Sequence, residues 1–108
     1  MTSALTEVEC LRTLDRLRLR NALSAADQAA RRDLVYRLLA ACELVELSRP
    51  VLGRASQPFP TPLGSLDAIH LATALIWREQ ESAGTVLATH DAALAVGARA
   101  SGLPVIGV

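Results

Sequence analysis

The stretch Ser65-Leu66-Asp67-Ala68-Ile69-His70-Leu71-Ala72-Thr73-Ala74-Leu75 sets one carboxylate at the head of an apolar helix. Thr85-Val86-Leu87-Ala88-Thr89 then reads as a buried strand, followed at once by His90 and a second carboxylate, Asp91. A helical apolar period giving way to a short apolar run, with turn residues between, points to alternating helices and parallel strands. In such a sheet the carboxyl ends of the strands and the starts of the helices meet at one edge. The pattern therefore gathers Asp67 and Asp91, two acids far apart in sequence, at one place.

The rest of the chain fits the same alternation. Met1 to about Thr6 reads as the tail of a strand leading into a helix that runs to about Arg20. Val8, Leu11, Leu14 and Leu17 recur every three residues on or near one helical face. Glu9, Arg12, Thr13, Arg16 and Arg20 fall on another, where acids and bases three and four apart can pair. Ser24-Ala25-Ala26-Asp27 resembles a capping box and opens a second helix. Leu34, Val35, Leu38 and Leu39 supply its apolar face. Cys42 to Leu47 suits a short strand, and Ser48 caps a short helix with Pro50 in its first turn. Gln57 to Gly64, with three prolines, is a loop. Ser65 is expected to cap the long helix, which runs to about Ser82 with Gly84 closing it. Asp91 to about Ser101 is a helix closed by Gly102, and Pro104 to Val108 is a last strand. The expected fold class is α/β, a single domain over residues 1–108 with a parallel sheet and helices on its faces.

Composition narrows the partners. Residues classed as hydrophobic make up 51% of the 108 and aromatics only 3%, so the core is aliphatic. The formal net charge is zero, which excludes a protein that coats nucleic acid by charge alone. All eleven cationic residues are arginine. Cys10 and Cys42 lack metal-ligand spacing and read as buried free thiols of a reducing compartment. No apolar run approaches the roughly 18 residues of a membrane span. Met1 to Glu9 has neither the charged nor the apolar region of a signal peptide, so a cytoplasmic location is expected.

Each acid has a structural use and a chemical one. Asp67 in a first helical turn complements the helix dipole, worth about 0.3–1 kcal/mol. Asp91 after a strand caps the next helix, worth about 1 kcal/mol. Together, and with Glu9 early in the first helix, they would repel one another unless protonated or bound to a cation. Mg²⁺ and Mn²⁺ favour such oxygen donors, and a metal held there polarises a phosphate and activates water. His70, one turn beyond Asp67, could share a face with it in a mixed His/Asp metal site, but it and His90, beside Asp91, read more simply as ordinary packed or surface residues. Ser65, Thr73 and Thr89 offer hydroxyls to a carboxylate or phosphate, or to local capping and packing. No Gly-rich phosphate loop, zinc spacing or nucleophile elbow is present.

These motifs, Ser65 to Leu75, Thr89-His90-Asp91 and Gly102-Leu103-Pro104-Val105, together resemble the PIN-domain family, and most closely its VapC toxins of bacterial toxin–antitoxin pairs. Thr2 to Leu11 looks like that family's second strand and the helix after it. The resemblance implies a three-layer α/β/α domain whose acids bind Mg²⁺ or Mn²⁺ and cleave RNA. It assigns the metal-binding and catalytic roles to Glu9, Asp67 and Asp91, with Thr89 as an accompanying hydroxyl. It also implies a homodimer, silenced by a VapB-type antitoxin whose tail enters the acidic groove. Arg12 and Arg16, on the face of Glu9, are candidates for steering the RNA backbone.

The family begins with an apolar strand ending in an aspartate. Ahead of Glu9-Cys10-Leu11 there is no room for that strand and its helices, so the domain is expected to be N-terminally incomplete. Two readings follow: a metal-dependent endoribonuclease toxin, or a catalytically impaired remnant that acts as an antitoxin-binding module. A third reading keeps the acids as caps alone.

Overall fold

A computed structural model describes residues 1–108. The backbone divides into two units, Met1–Glu46 and Leu47–Val108.

In the first unit a short strand, β1 (Thr2–Ser3), is followed by two helices, α1 (Leu5–Leu19) and α2 (Ala25–Ala40), and a second strand, β2 (Leu44–Val45). β1 and β2 are parallel, with Thr2 opposite Leu44 and Ser3 opposite Val45. The Thr2 amide donates to the Glu43 carbonyl at 2.9 Å and the Ala4 amide to the Val45 carbonyl at 2.8 Å. The helices thus form the crossover that a parallel pair requires.

Local chemistry explains where these helices stop and start. Past the end of α1, Asn21 takes a left-handed φ of 58°. The Ala22 amide reaches back to Leu17 and the Asn21 amide to Arg18, the two bonds of a Schellman motif with asparagine in place of glycine. At the head of α2 the Ser24 hydroxyl accepts from the Asp27 amide at 3.1 Å, as the capping pattern predicts. Neither helix has a fully buried residue. Leu11, Leu14 and Leu17 are half-buried, but Val8, expected beside them, is 57% exposed. A spacing of three lags the 3.6-residue turn by about 60° a step, so four such residues cannot share one face.

The second unit holds α3 (Arg49–Ala55), α4 (Ser65–Gln80), β3 (Leu87–Ala88), α5 (Ala92–Ala100) and β4 (Val105–Ile106). Its core is aliphatic. Leu71, Ala74 and Leu75 of α4 meet Leu94 and Ala98 of α5 and Leu103 beyond it, with Phe59, Leu63, Leu87 and Val105 packed around them. Small residues let α5 sit close: a Cβ added at Gly97 would lie 3.1 Å from the methyls of Leu63 and the hydroxyl of Thr61. Gly102, at φ +82°, ends α5 with a second Schellman motif. The Leu103 amide bonds the Ala98 carbonyl at 2.9 Å while the Leu103 side chain enters the core.

β3 and β4 are parallel, with Leu87 opposite Val105 and Ala88 opposite Ile106, and α5 is the crossover between them. The parallel pairing and the helix order agree with the sequence reading. The strands are shorter than expected, two residues each in two separate pairs, and a continuous three-layer sheet is not evident. Two other expectations need correction. Ser65 does not cap α4: Gly64 holds that position, and no side chain bonds the first amides. The helix also ends at Gln80, short of Ser82 and Gly84. The cysteines are free, as expected, but not buried, Cys10 being half-buried and Cys42 exposed.

At the end of β4 the backbone of Gly107, φ +95°, runs so close to Thr89 that an added Cβ would sit 2.6 Å from the Thr89 carbonyl oxygen. Gly107→Ala should therefore lower stability by about 1–3 kcal/mol, strain and backbone displacement together. A shifted urea midpoint at constant slope would show it. Leu71→Ala, at a side chain with 0% exposure, should cost about 2–5 kcal/mol by the same measurement.

Candidate active site

Asp91 is the best-defined of the predicted acids. It lies just beyond β3, after Thr89 and His90, and is the N-cap of α5. One carboxylate oxygen, Oδ1, accepts from the Leu94 amide at 2.8 Å. The Asp91 residue is exposed, and its other oxygen is not used by the cap. Thr89 fixes the approach: its hydroxyl accepts from the Asp91 amide at 3.0 Å. The supporting hydroxyl therefore acts on the backbone of Asp91, a turn in which a short side chain stands in for a ladder partner.

His90, given no role by the sequence reading, holds this turn from the other side. Its Nδ1 lies 2.6 Å from the carbonyl oxygen of Gly107. A carbonyl can only accept, so Nδ1 carries the proton of that bond. The close approach of Gly107 to Thr89 and the His90 bond together pin the carboxyl ends of β3 and β4. A glycine at the end of an apolar run was the one sequence sign of this contact.

Asp67 lies in the first turn of α4 and is half-buried, and His70 follows one turn later, also half-buried. Asp67 thus sits where a negative charge complements the helix dipole, as its structural reading anticipates. Thr73 is buried, and its hydroxyl donates to the Ile69 carbonyl at 2.8 Å, so it has a packing role and offers nothing to a ligand. Asp67 and Asp91 both belong to the second unit and both stand at helix starts.

Glu9 belongs to the first unit, within α1, and is half-buried. Its backbone carbonyl accepts from the Thr13 hydroxyl at 2.8 Å, and that hydroxyl accepts from Arg16 Nη2 at 3.1 Å. Arg12 is paired with Asp15 at 3.0 Å and Arg18 with the same carboxylate at 3.1 Å. The Arg18 hydrogen bond, with Arg12 beside it, holds the Asp15 carboxyl below its ordinary pKa. Arg12 thus pairs three residues along the helix as the surface reading expects, but with Asp15, an acid outside the face that reading named. Both Arg12 and Arg16 remain exposed, and a phosphate would compete for them with Asp15 and Thr13.

All three acids supply hard oxygen donors of the kind Mg²⁺ and Mn²⁺ prefer. No group of three or more His, Cys, Asp or Glu side chains is placed to hold a metal ion. A recess of about 400 Å³ in the second unit is lined by Arg54, Gln57, Pro58, Phe59, Pro60, Leu75 and Ser101, and contains none of the predicted site residues. No helix is long and apolar enough to cross a membrane.

Among known protein families, the PIN domain matches residues 1–106. No curated protein and no solved structure matches the chain. The match takes in the Thr2 to Leu11 opening, the Asp67 helix, the Asp91 turn and the Gly102 to Val105 segment, the stretches whose resemblance the sequence carries. This chain belongs to the PIN-domain family.

Proposed function

We propose that the chain is a metal-dependent endoribonuclease of the VapC toxin type, hydrolysing RNA phosphodiester bonds. The observation that carries this reading is the PIN-domain match over residues 1–106, because PIN domains are generally nucleases. In this reading Glu9, Asp67 and Asp91 would hold Mg²⁺ or Mn²⁺, directly or through water, and a bound ion would supply Lewis acidity toward the phosphate and a more acidic attacking water. Asp91 suits the role because its cap occupies one oxygen and leaves the other for a cation. Thr89 and His90 keep that carboxylate in place through the backbone. Arg12 and Arg16 attract the RNA backbone, a contribution that salt would weaken. The toxin reading also brings a homodimer and a VapB-type antitoxin that silences the acidic site.

Cleavage of an RNA substrate should need Mn²⁺ or Mg²⁺ and stop on chelation. Asp67→Asn should reduce it by about 100-fold or more, since a metal ligand contributes several kcal/mol to the transition state. Unchanged cleavage by the variant, or cleavage that survives chelation, would reject the assignment. A calorimetric titration with Mn²⁺ separates the nuclease from the impaired interaction module, which should bind the ion weakly or not at all.

Asp91 permits a cleaner separation of structure from chemistry. Asn caps a helix about as well as Asp, whereas Ala costs about 0.5–2 kcal/mol. Asp91→Asn should therefore keep the thermal midpoint and lose RNA cleavage, while Asp91→Ala should lose both. Equal activity of Asp91→Asn and the unaltered chain would leave Asp91 as a cap alone.

A further inference from the structure

We infer that the recess beside the ends of α3 and α5 is a subsite for one unstacked nucleotide of a single-stranded RNA, its base laid on the Phe59 ring and its phosphate on the Arg54 guanidinium. The choice of RNA as occupant rests on the nuclease reading above; the recess itself does not.

The recess lies wholly within the second unit, and its volume of about 400 Å³ falls in the range of small-ligand sites, about 300–1,000 Å³. Its platform is stiff. Phe59 is the one phenylalanine of the chain, and it stands between Pro58 and Pro60. A proline fixes its own φ and holds the residue before it extended, so this backbone has little freedom left to lose. The ring also packs against the core to which Leu75 belongs. A base that stacks on a ring already held in place binds at a small cost in ordering.

Polar groups line the rest. The Gln57 side chain and the Ser101 hydroxyl make no hydrogen bond within the chain. An amide offers both a donor and an acceptor, which is what the edge of a base requires. Arg54 is held by Glu79 through a single Nη2 contact at 3.3 Å, in a pair whose side chains are 40% and 50% exposed. Its other donors are left for a phosphate. The carboxyl ends of α3 and α5 carry partial negative charge that by itself would repel one. Arg54 stands in the last turn of α3, and Arg78 Nη1 donates to the Ser101 carbonyl at 3.3 Å, so a guanidinium offsets each helix end.

Position favours a polymer as the occupant. Asp67 and Asp91 stand at the heads of α4 and α5. Leu75 lies about 12 Å further along α4, and Ser101 about 15 Å further along α5. A strand that runs along these helices from the acids brings a nucleotide a few positions from the cut into the recess.

Binding of a short, fluorescein-labelled, mixed-sequence RNA, read by anisotropy in EDTA, tests the recess without metal or cleavage. Phe59→Leu should weaken it about 10-fold, as loss of one stacked base does, and Phe59→Tyr should keep it. Arg54→Gln should weaken it for every sequence and lower the slope of log affinity against log salt by about one. Arg31→Gln, the same loss of charge in the first unit, should do neither. Gln57→Ala should even out the affinities of short RNAs that differ in one base. Gln57 is exposed and Arg54 makes one surface pair, so these two variants keep the fold even where Phe59→Leu does not. Absence of binding, indifference to all three substitutions, or an Arg31→Gln effect equal to that of Arg54→Gln overturns the subsite. AMP or UMP bound as tightly as the RNA makes this a site for a free nucleotide and also overturns it. The nuclease reading fails separately. RNA that binds with these effects but is not cut in Mn²⁺ removes the nuclease and leaves the subsite, and Mn²⁺-dependent cutting with none of them does the reverse.

Discussion

The contact between α4 and α5 is the constraint on which the second unit depends. Leu71, Ala74 and Leu75 can reach Leu94, Ala98 and Leu103 only because α5 is built from alanine and glycine where it faces its neighbours. Close packing of aliphatic surfaces is the largest favourable term available to a chain with so few aromatic residues. The two-residue strands add little by themselves, since a two-stranded sheet is marginal in water. They hold because the helices that connect them are already packed. The first unit lacks such a core and relies on half-buried leucines and exposed ion pairs, each worth little alone.

The acids show how one side chain can serve both fold and chemistry. A helix start stabilises negative charge, so a carboxylate there contributes to stability before any ligand arrives. The same charge, on an exposed residue with one oxygen outside the cap, is what a hard cation would seek. Asp91 has the first use, as the cap of α5, and its neighbours fix its position. Thr89 bonds its amide, and His90 bonds Gly107 on the adjoining strand end. Membership of the PIN family supplies the class of chemistry, and the local construction shows a carboxylate fixed by its own cap and turn.

Much of this was legible in the residues. Caps were the most readable features, because their chemistry is local: Ser24, Ser48 and Asp91 all cap as the sequence suggests. Gly102 ends α5 for an equally local reason. Gly64 displaced Ser65 at the head of α4 because a cap is defined by backbone conformation, and a serine one position late lies inside the helix. Strand extents were not legible, since pairing depends on partners forty residues away in one case and a helix-length away in the other. The His90 bond was hidden for the same reason: nothing near His90 in sequence announces that Gly107 will pass within reach. Among the site residues, the capping geometry of Asp91 and the helix-start position of Asp67 could be read directly.

The turn at Gly102 and Leu103 carries more than a helix ending. Because Leu103 is at once the last bond of the turn and a member of the core, it indexes the following strand like a tooth in a ratchet. Side chains in a strand alternate faces, so a one-residue insertion there would turn Val105 and Ile106 over and carry Gly107 away from Thr89. The length of this segment is therefore fixed by the same residues that end the helix and enter the core.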